Sequence, residues 1–170
     1  MYSKKLKIFI LLIVIFFLIS FLLFPALYNA RKCIRVAICF SNVKIISIAL
    51  SQYARDYDGF YPIELSMLYP KYVNNLRVFI CLSKSKKIKE EDILKNFEVC
   101  YIYNKGLTKK SPSELLLLYE KGENHKNSCG RKNIRHVVFV EGRVKGVDDD
   151  EWLKVYNIHL KNLQSADRKD

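Results

Sequence analysis

Ile8–Leu27 reads IFILLIVIFFLISFLLFPAL, and residues 28–57 continue as YNARKCIRVAICFSNVKIISIALSQYARDY. The first stretch holds no charge, and only Ser20 and Pro25 are not plainly apolar. Twenty helical residues rise roughly 30 Å, the thickness of a bilayer's hydrocarbon core. The second stretch changes period. Val36, Cys39, Val43, Ile46, Leu50, Tyr53 and Tyr57 recur at alternating steps of three and four, which makes one helical stripe. No turn signal separates the two stretches. They predict one helix from near Lys4 to Tyr57, bent at Pro25, with Gly59 at the C′ position after Asp58. Its first half lies in lipid and its second half packs on a domain.

A cleaved signal peptide fits less well. Signal h-regions run about 7–15 residues, and no small-x-small site follows the span. Retention as an anchor is expected, with the N-terminal Met intact or at most simply removed. Lys4, Lys5 and Lys7 precede the span and Arg31, Lys32 and Arg35 follow it, so the positive-inside count is nearly balanced. An early span led by a basic segment usually inserts with its N-terminus inside, and that orientation is taken here.

Outward from this helix the chain is modest in size. It has 170 residues, half of them apolar, and mean hydropathy is near zero because the apolar residues concentrate at the start. The expected organisation is a cytoplasmic tip and transmembrane helix over residues 1–30, then an extracytoplasmic α+β domain over 31–170. Pro62 opens a short helical stretch, Ile63 to Leu68, and Leu76 to Leu82 is an apolar, extended run. Strands are expected over Phe97–Tyr103, Leu115–Tyr119, Val137–Val140 and Arg143–Val147, the last two as a hairpin around Glu141-Gly142. Trp152, Tyr156, Leu160 and Leu163 mark the apolar face of a last helix. The fold class is α+β: the long helix on a small antiparallel sheet of about four strands, with a C-terminal helix.

The net charge of +12 is spread along the chain. Its densest run, Lys84, Lys86, Lys87 and Lys89, is followed at once by Glu90, Glu91 and Asp92. That reads as a solvated loop and helix start. No nucleic-acid motif accompanies it, so nucleic acid is disfavoured as a partner. The lipid bilayer is the partner the span requires.

Enzyme chemistry is not expected. The chain holds no GxSxG, HExxH or P-loop motif. No small-molecule substrate suggests itself. His125, His136 and His159 are read as structural, since no Cys/His pair has zinc-ligand spacing. Asp148, Asp149, Asp150 and Glu151 have a capping-box spacing at the start of the last helix. They are also the candidate metal residues. Calcium is the lesser reading, because they lack an EF-hand pattern, and otherwise no cofactor is expected.

Five cysteines leave one odd. Cys39 lies on the stripe, and Cys81 ends the run Val78 to Leu82, which must lie along the long helix because only about twenty residues bring the chain back from Gly59. The two sulfurs come within reach of a disulfide, whose Cα atoms stand about 4.4–6.8 Å apart. Closing a loop of about forty residues would contribute about 3–4 kcal/mol. The other arrangement is that both are reduced, buried and merely close. Cys100 with Cys129 is the second candidate pair, and Cys33 is then left as a thiol near the membrane surface.

The long helix followed by a small sheet, with four sequence runs in order, resembles the bacterial type IV pilin and type II secretion pseudopilin family. Leu22-Leu23-Phe24-Pro25-Ala26-Leu27, Ala30-Arg31 and Cys39-Phe40-Ser41-Asn42-Val43-Lys44 are similar to the LLxPALxxAR…CxSNLKQI run of one pseudopilin-like subgroup. Residues 50–62, LSQYARDYDGFYP, resemble its LxxYAxDxDGxxP. Val78-Phe79-Ile80-Cys81 resembles VFxCP, and residues 137–144, VVFVEGRV, resemble VxFxDGHV. The prepilin peptidase motif is lacking: Lys7–Leu12 holds neither glycine nor an acidic residue. The resemblance implies a structural subunit of a type II secretion or type IV pilus-like assembly. Its partners would be other pilin-like subunits or secretion-system components. It would sit in the cytoplasmic (inner) membrane with its N-terminus inside and its domain periplasmic or extracellular. The alternative is a monomeric membrane tether whose outer domain binds a ligand such as polysaccharide or DNA.

Overall fold

The computed structural model describes residues 4–82, 88–97, 100–122, 125 and 133–167, the side chains of 165–167 excepted. Helix α1 runs unbroken over Lys4–Asp56 and carries Pro25 inside it. At about 1.5 Å per residue it is about 80 Å long. Its apolar N-terminal half is bare: the large side chains from Ile8 to Phe24 are exposed. The stripe beyond it is the core of the domain. Val36, Cys39, Val43, Ile46, Leu50 and Tyr53 are buried. Tyr57 shares their spacing but is 48% exposed, because the helix has ended before it and its ring lies stacked on Tyr53 at 4.2 Å.

The helix stops in a Schellman arrangement. The Gly59 N–H donates to the Ala54 carbonyl at 2.7 Å, a six-to-one bond that places Asp58, not Gly59, at C′. Asp58 takes φ 51° and Gly59 φ 89°, so two consecutive left-handed residues turn the chain. Aspartate tolerates that region better than most residues with a Cβ.

The chain then returns along α1 through two 3-10 turns, Leu65–Leu68 and Leu76–Phe79. The second was expected to be extended. Instead the Asn75 side chain accepts the Arg77 N–H at 3.0 Å and starts a turn, which buries Val78 and Phe79 together. The segment does lie on α1 as expected: Asn42 Nδ2 donates to the Ile80 carbonyl at 3.4 Å. A short helix α2, Glu90–Lys95, follows.

Four strands form one antiparallel sheet in chain order: β1 Tyr101–Tyr103, β2 Leu116–Glu120, β3 Arg135–Phe139 and β4 Val144–Val147. The hairpin turns at Glu141-Gly142, with Gly142 at φ 92°. Helix α3, Asp149–Asp167, closes the fold. The α+β, pilin-like layout is therefore the one the protein adopts.

Both faces of the sheet are covered. Tyr101, Tyr103, Leu115, Leu117, Leu118, Val138 and Val140 face α1, whereas Leu116, Tyr119, Val137, Phe139 and Val147 meet Trp152, Val155 and Tyr156. Strand β2 reaches both faces with a register shift. Leu116 pairs with Phe139 but Leu118 with Val138, so Leu117 is a bulge and two successive leucines point at α1.

Candidate functional site

Past the bulge, alternation carries Glu120 onto the α1 face beside His136 of β3, since Tyr119 pairs with Val137. There Glu120 meets Cys39 from the α1 stripe, Cys81 from the return segment and His125, five residues beyond it. All four side chains are buried, and one ligand-type atom from each lies within 4.8 Å of all the others. The Cys39 and Cys81 sulfurs are 3.5 Å apart. His125 Nε2 is 3.7 Å from Cys81 Sγ and 3.3 Å from Glu120 Oε1.

The surroundings hold these atoms in place. The Leu82 N–H donates to Cys39 Sγ at 3.2 Å. The His136 backbone N–H donates to Glu120 Oε2 at 2.9 Å, which leaves Oε1 turned toward the sulfurs and the imidazole. His136 Nδ1 is 3.2 Å from the same Oε2 but out of line for a hydrogen bond. The His136 ring packs edge-on against Phe40 of α1 at 5.4 Å.

A buried carboxylate is costly in isolation. Burial pushes the Glu120 pKa up, but the His125 and His136 side chains beside it more than offset this and hold it at about 2. Burial pushes His125 down, and its bonds to Cys81 and Glu120 carry it to about 9. The Cys81 thiol is pushed well up by its contact with Cys39 and by burial. At neutral pH the pocket thus holds an anionic carboxylate, a protonated imidazole and two thiols, all aimed at one point.

The expected cysteine pairings are corrected here. Cys39 and Cys81 are neighbours, as their positions implied, but both are reduced, because 3.5 Å is a non-bonded separation where a disulfide needs about 2.05 Å. Cys100 is also a buried thiol, so its pairing with Cys129 is not formed; Cys129 itself lies outside the described residues. Cys33, expected to keep its thiol, is disulfide-bonded. It stands three residues before Val36 and so shares the face that α1 turns toward the domain.

The acidic run is a helix cap. Asp148 Oδ1 accepts the Glu151 N–H at 3.0 Å, half of the expected capping box. The Glu151 carboxylate turns instead to Lys145, and Asp149 accepts from Asn133. These engagements point the carboxylates at different partners. The lysine run 84–87 lies outside the described residues.

Sequence reading missed Glu120 altogether and read His125 only as structural. The four donors come from three stretches of chain, with Cys39 and Cys81 about forty residues or more from each other and from the Glu120–His125 pair, so no familiar ligand spacing marks them. At the other end of the molecule, α1 is the one helix among the described residues long and apolar enough to cross a membrane, and the relevant window has no buried residue. No protein-family model, curated protein or solved structure matches the chain.

Proposed function

We propose that the protein is a membrane-anchored, pilin-like structural subunit of a type II secretion or type IV pilus-like assembly, with its α+β domain outside the cytoplasm. The observation that carries this reading is the continuity of α1. One helix is both the bare apolar span and the central core element of the domain. The domain therefore cannot move independently of the span. Association of spans would fix the spacing of the domains, with the sheets outermost. The disulfide at Cys33 supports an oxidising compartment for the domain, since disulfides persist outside the cytoplasm.

A second reading is favoured by one feature. No acidic residue lies in the helix before Asp56, so no carboxylate is available within the span to pair neighbouring subunits. A monomeric tether that binds polysaccharide or DNA through its outer domain would need none.

Alkaline carbonate extraction and photo-crosslinking test both readings. The full chain should stay in the membrane fraction, and a photoreactive residue in place of Phe16 should yield a ladder of homomultimers or a defined hetero-adduct in cells. Release into the soluble fraction overturns the anchor. An adduct-free monomer overturns the subunit reading and leaves the tether.

A further inference from the structure

We propose that Cys39, Cys81, Glu120 and His125 form a structural zinc site that staples α1 to the sheet and the return segment. The inference stands independently of the filament reading.

The donor set is the first argument. Thiolate, imidazole and carboxylate are the zinc ligands of proteins, and closed structural sites take four of them in a tetrahedron. Geometry is the second. Zinc bonds of about 2.3 Å to sulfur and about 2.0–2.2 Å to nitrogen or oxygen give tetrahedral edges of about 3.8 Å between sulfurs, about 3.6 Å between sulfur and nitrogen and about 3.3–3.4 Å between nitrogen and oxygen. The corresponding separations here are 3.5, 3.7 and 3.3 Å. The remaining pairs lie within 4.8 Å, so closing the tetrahedron asks each for at most about an ångström, and side-chain torsions supply that.

The outer shell is the third argument. Metal ligands in proteins are oriented by hydrogen bonds from groups that do not touch the ion. The Leu82 N–H on the Cys39 sulfur and the His136 N–H on the far oxygen of Glu120 are of that kind. They leave the near oxygen and both sulfurs turned inward. Burial is the fourth. The four residues are nearly solvent-free, so the site would be filled as the domain folds, and the binding free energy would add to the stability of the fold. On binding, Cys39 and Cys81 each lose a proton to solvent and His125 loses the one on Nε2, so three protons leave; no electron is transferred.

The competing chemistry is oxidation of the same two sulfurs to a disulfide, which would remove two ligands. The full chain, purified in detergent from cells without added metal, distinguishes the two outcomes. Elemental analysis should find about one zinc per chain, and both cysteines should resist alkylation in the folded protein until a chelator is added with denaturant. Replacement by cobalt should produce thiolate-to-cobalt charge-transfer absorption and intense tetrahedral ligand-field bands. Cys81→Ser and His125→Ala should lower zinc content by about 10-fold or more, whereas Cys100→Ser should not. Should the ligand variants fail to fold, the cobalt spectrum of the wild-type chain decides alone. Absence of zinc together with a mapped Cys39–Cys81 disulfide overturns the proposal. So do a cobalt spectrum without thiolate bands and zinc content that survives loss of Cys81.

Discussion

Glu120 and His136 are cross-strand neighbours on the α1 face of the sheet, joined where the His136 N–H donates to Glu120 Oε2 at 2.9 Å. This bond consumes a strand amide to hold a carboxylate that would otherwise be a buried, unpaired charge. The Glu120 carboxylate is thereby a fixed part of the core, placed where the long helix, the return segment and the sheet converge. Mutational effects should differ sharply between this join and the bare span below it.

The join is centred on the α1 stripe. Leu50 is fully buried among the residues facing the sheet. Leu50→Asp should unfold the α+β domain, since an uncompensated buried charge costs several kcal/mol against a total stability of about 5–15 kcal/mol. Limited proteolysis in detergent reads this directly. Cleavage throughout the domain is expected, and wild-type resistance would mean that the stripe does not pack on the sheet.

The span should respond to a different chemistry. Leu18 lies near the middle of the bare apolar stretch. Leu18→Arg should cost about 2.5–3.5 kcal/mol of insertion free energy. Carbonate extraction should then release a measurable fraction of the chain, while Leu18→Ile should be retained like wild type. The domain's resistance to protease should be unaffected in both.

A histidine on α3 predicts a pH effect. The Leu116 N–H donates to His159 Nδ1 at 3.2 Å, so that nitrogen carries no proton, and burial lowers the pKa below its ordinary value of 6.5. A depressed base in the fold binds fewer protons than the unfolded chain. Its contribution is intact above about 6.5 and is lost as pH falls through that value toward the folded pKa. The urea midpoint of wild type should therefore drop more between pH 7.5 and pH 5 than that of His159→Gln. The comparison cancels the titration of other groups. Equal drops would show that His159 is not held neutral.

How far the sequence announced these features depends on how local each one is. The span needs only twenty uncharged residues, and the stripe needs only a period, so both are visible without tertiary information. The hairpin at Glu141-Gly142 likewise carries its own turn chemistry. The strand limits do not: Phe97 lies in a turn, and among the described residues the expected strand covers only Tyr101–Tyr103. The bulge at Leu117 has no mark in a run of four leucines, yet it decides which face Glu120 occupies. The Cys39–Cys81 contact was inferable because one residue lies on a stripe and the other on a run forced back against it. Glu120 and His125 joined them unannounced. Burial of a charged strand end and of a histidine in a polar loop depends on what closes over them, and no periodicity encodes that.

The segment after α1 is tied to the hairpin by one hydroxyl. Tyr61 Oη donates to the Val140 carbonyl at 2.5 Å, and both residues are buried. That carbonyl sits just past β3, where the strand's own ladder no longer reaches it. Tyr61→Phe keeps the ring and its packing but leaves the acceptor buried. Leaving such a group unsatisfied costs about 1–3 kcal/mol, more than the net worth of an average hydrogen bond. A second tyrosine gives an internal comparison: Tyr103 Oη donates to the Pro62 carbonyl at 2.6 Å, one residue along the same segment. Because both bonds clamp the same short stretch, the two losses should not add independently. The double variant should be less destabilised than the sum of the singles, since the first cut already frees the segment to let water reach the second acceptor. Urea midpoints of the full chain in detergent, for both singles and the double, measure this coupling. Strict additivity would show that each tyrosine acts on a rigid backbone held by other contacts.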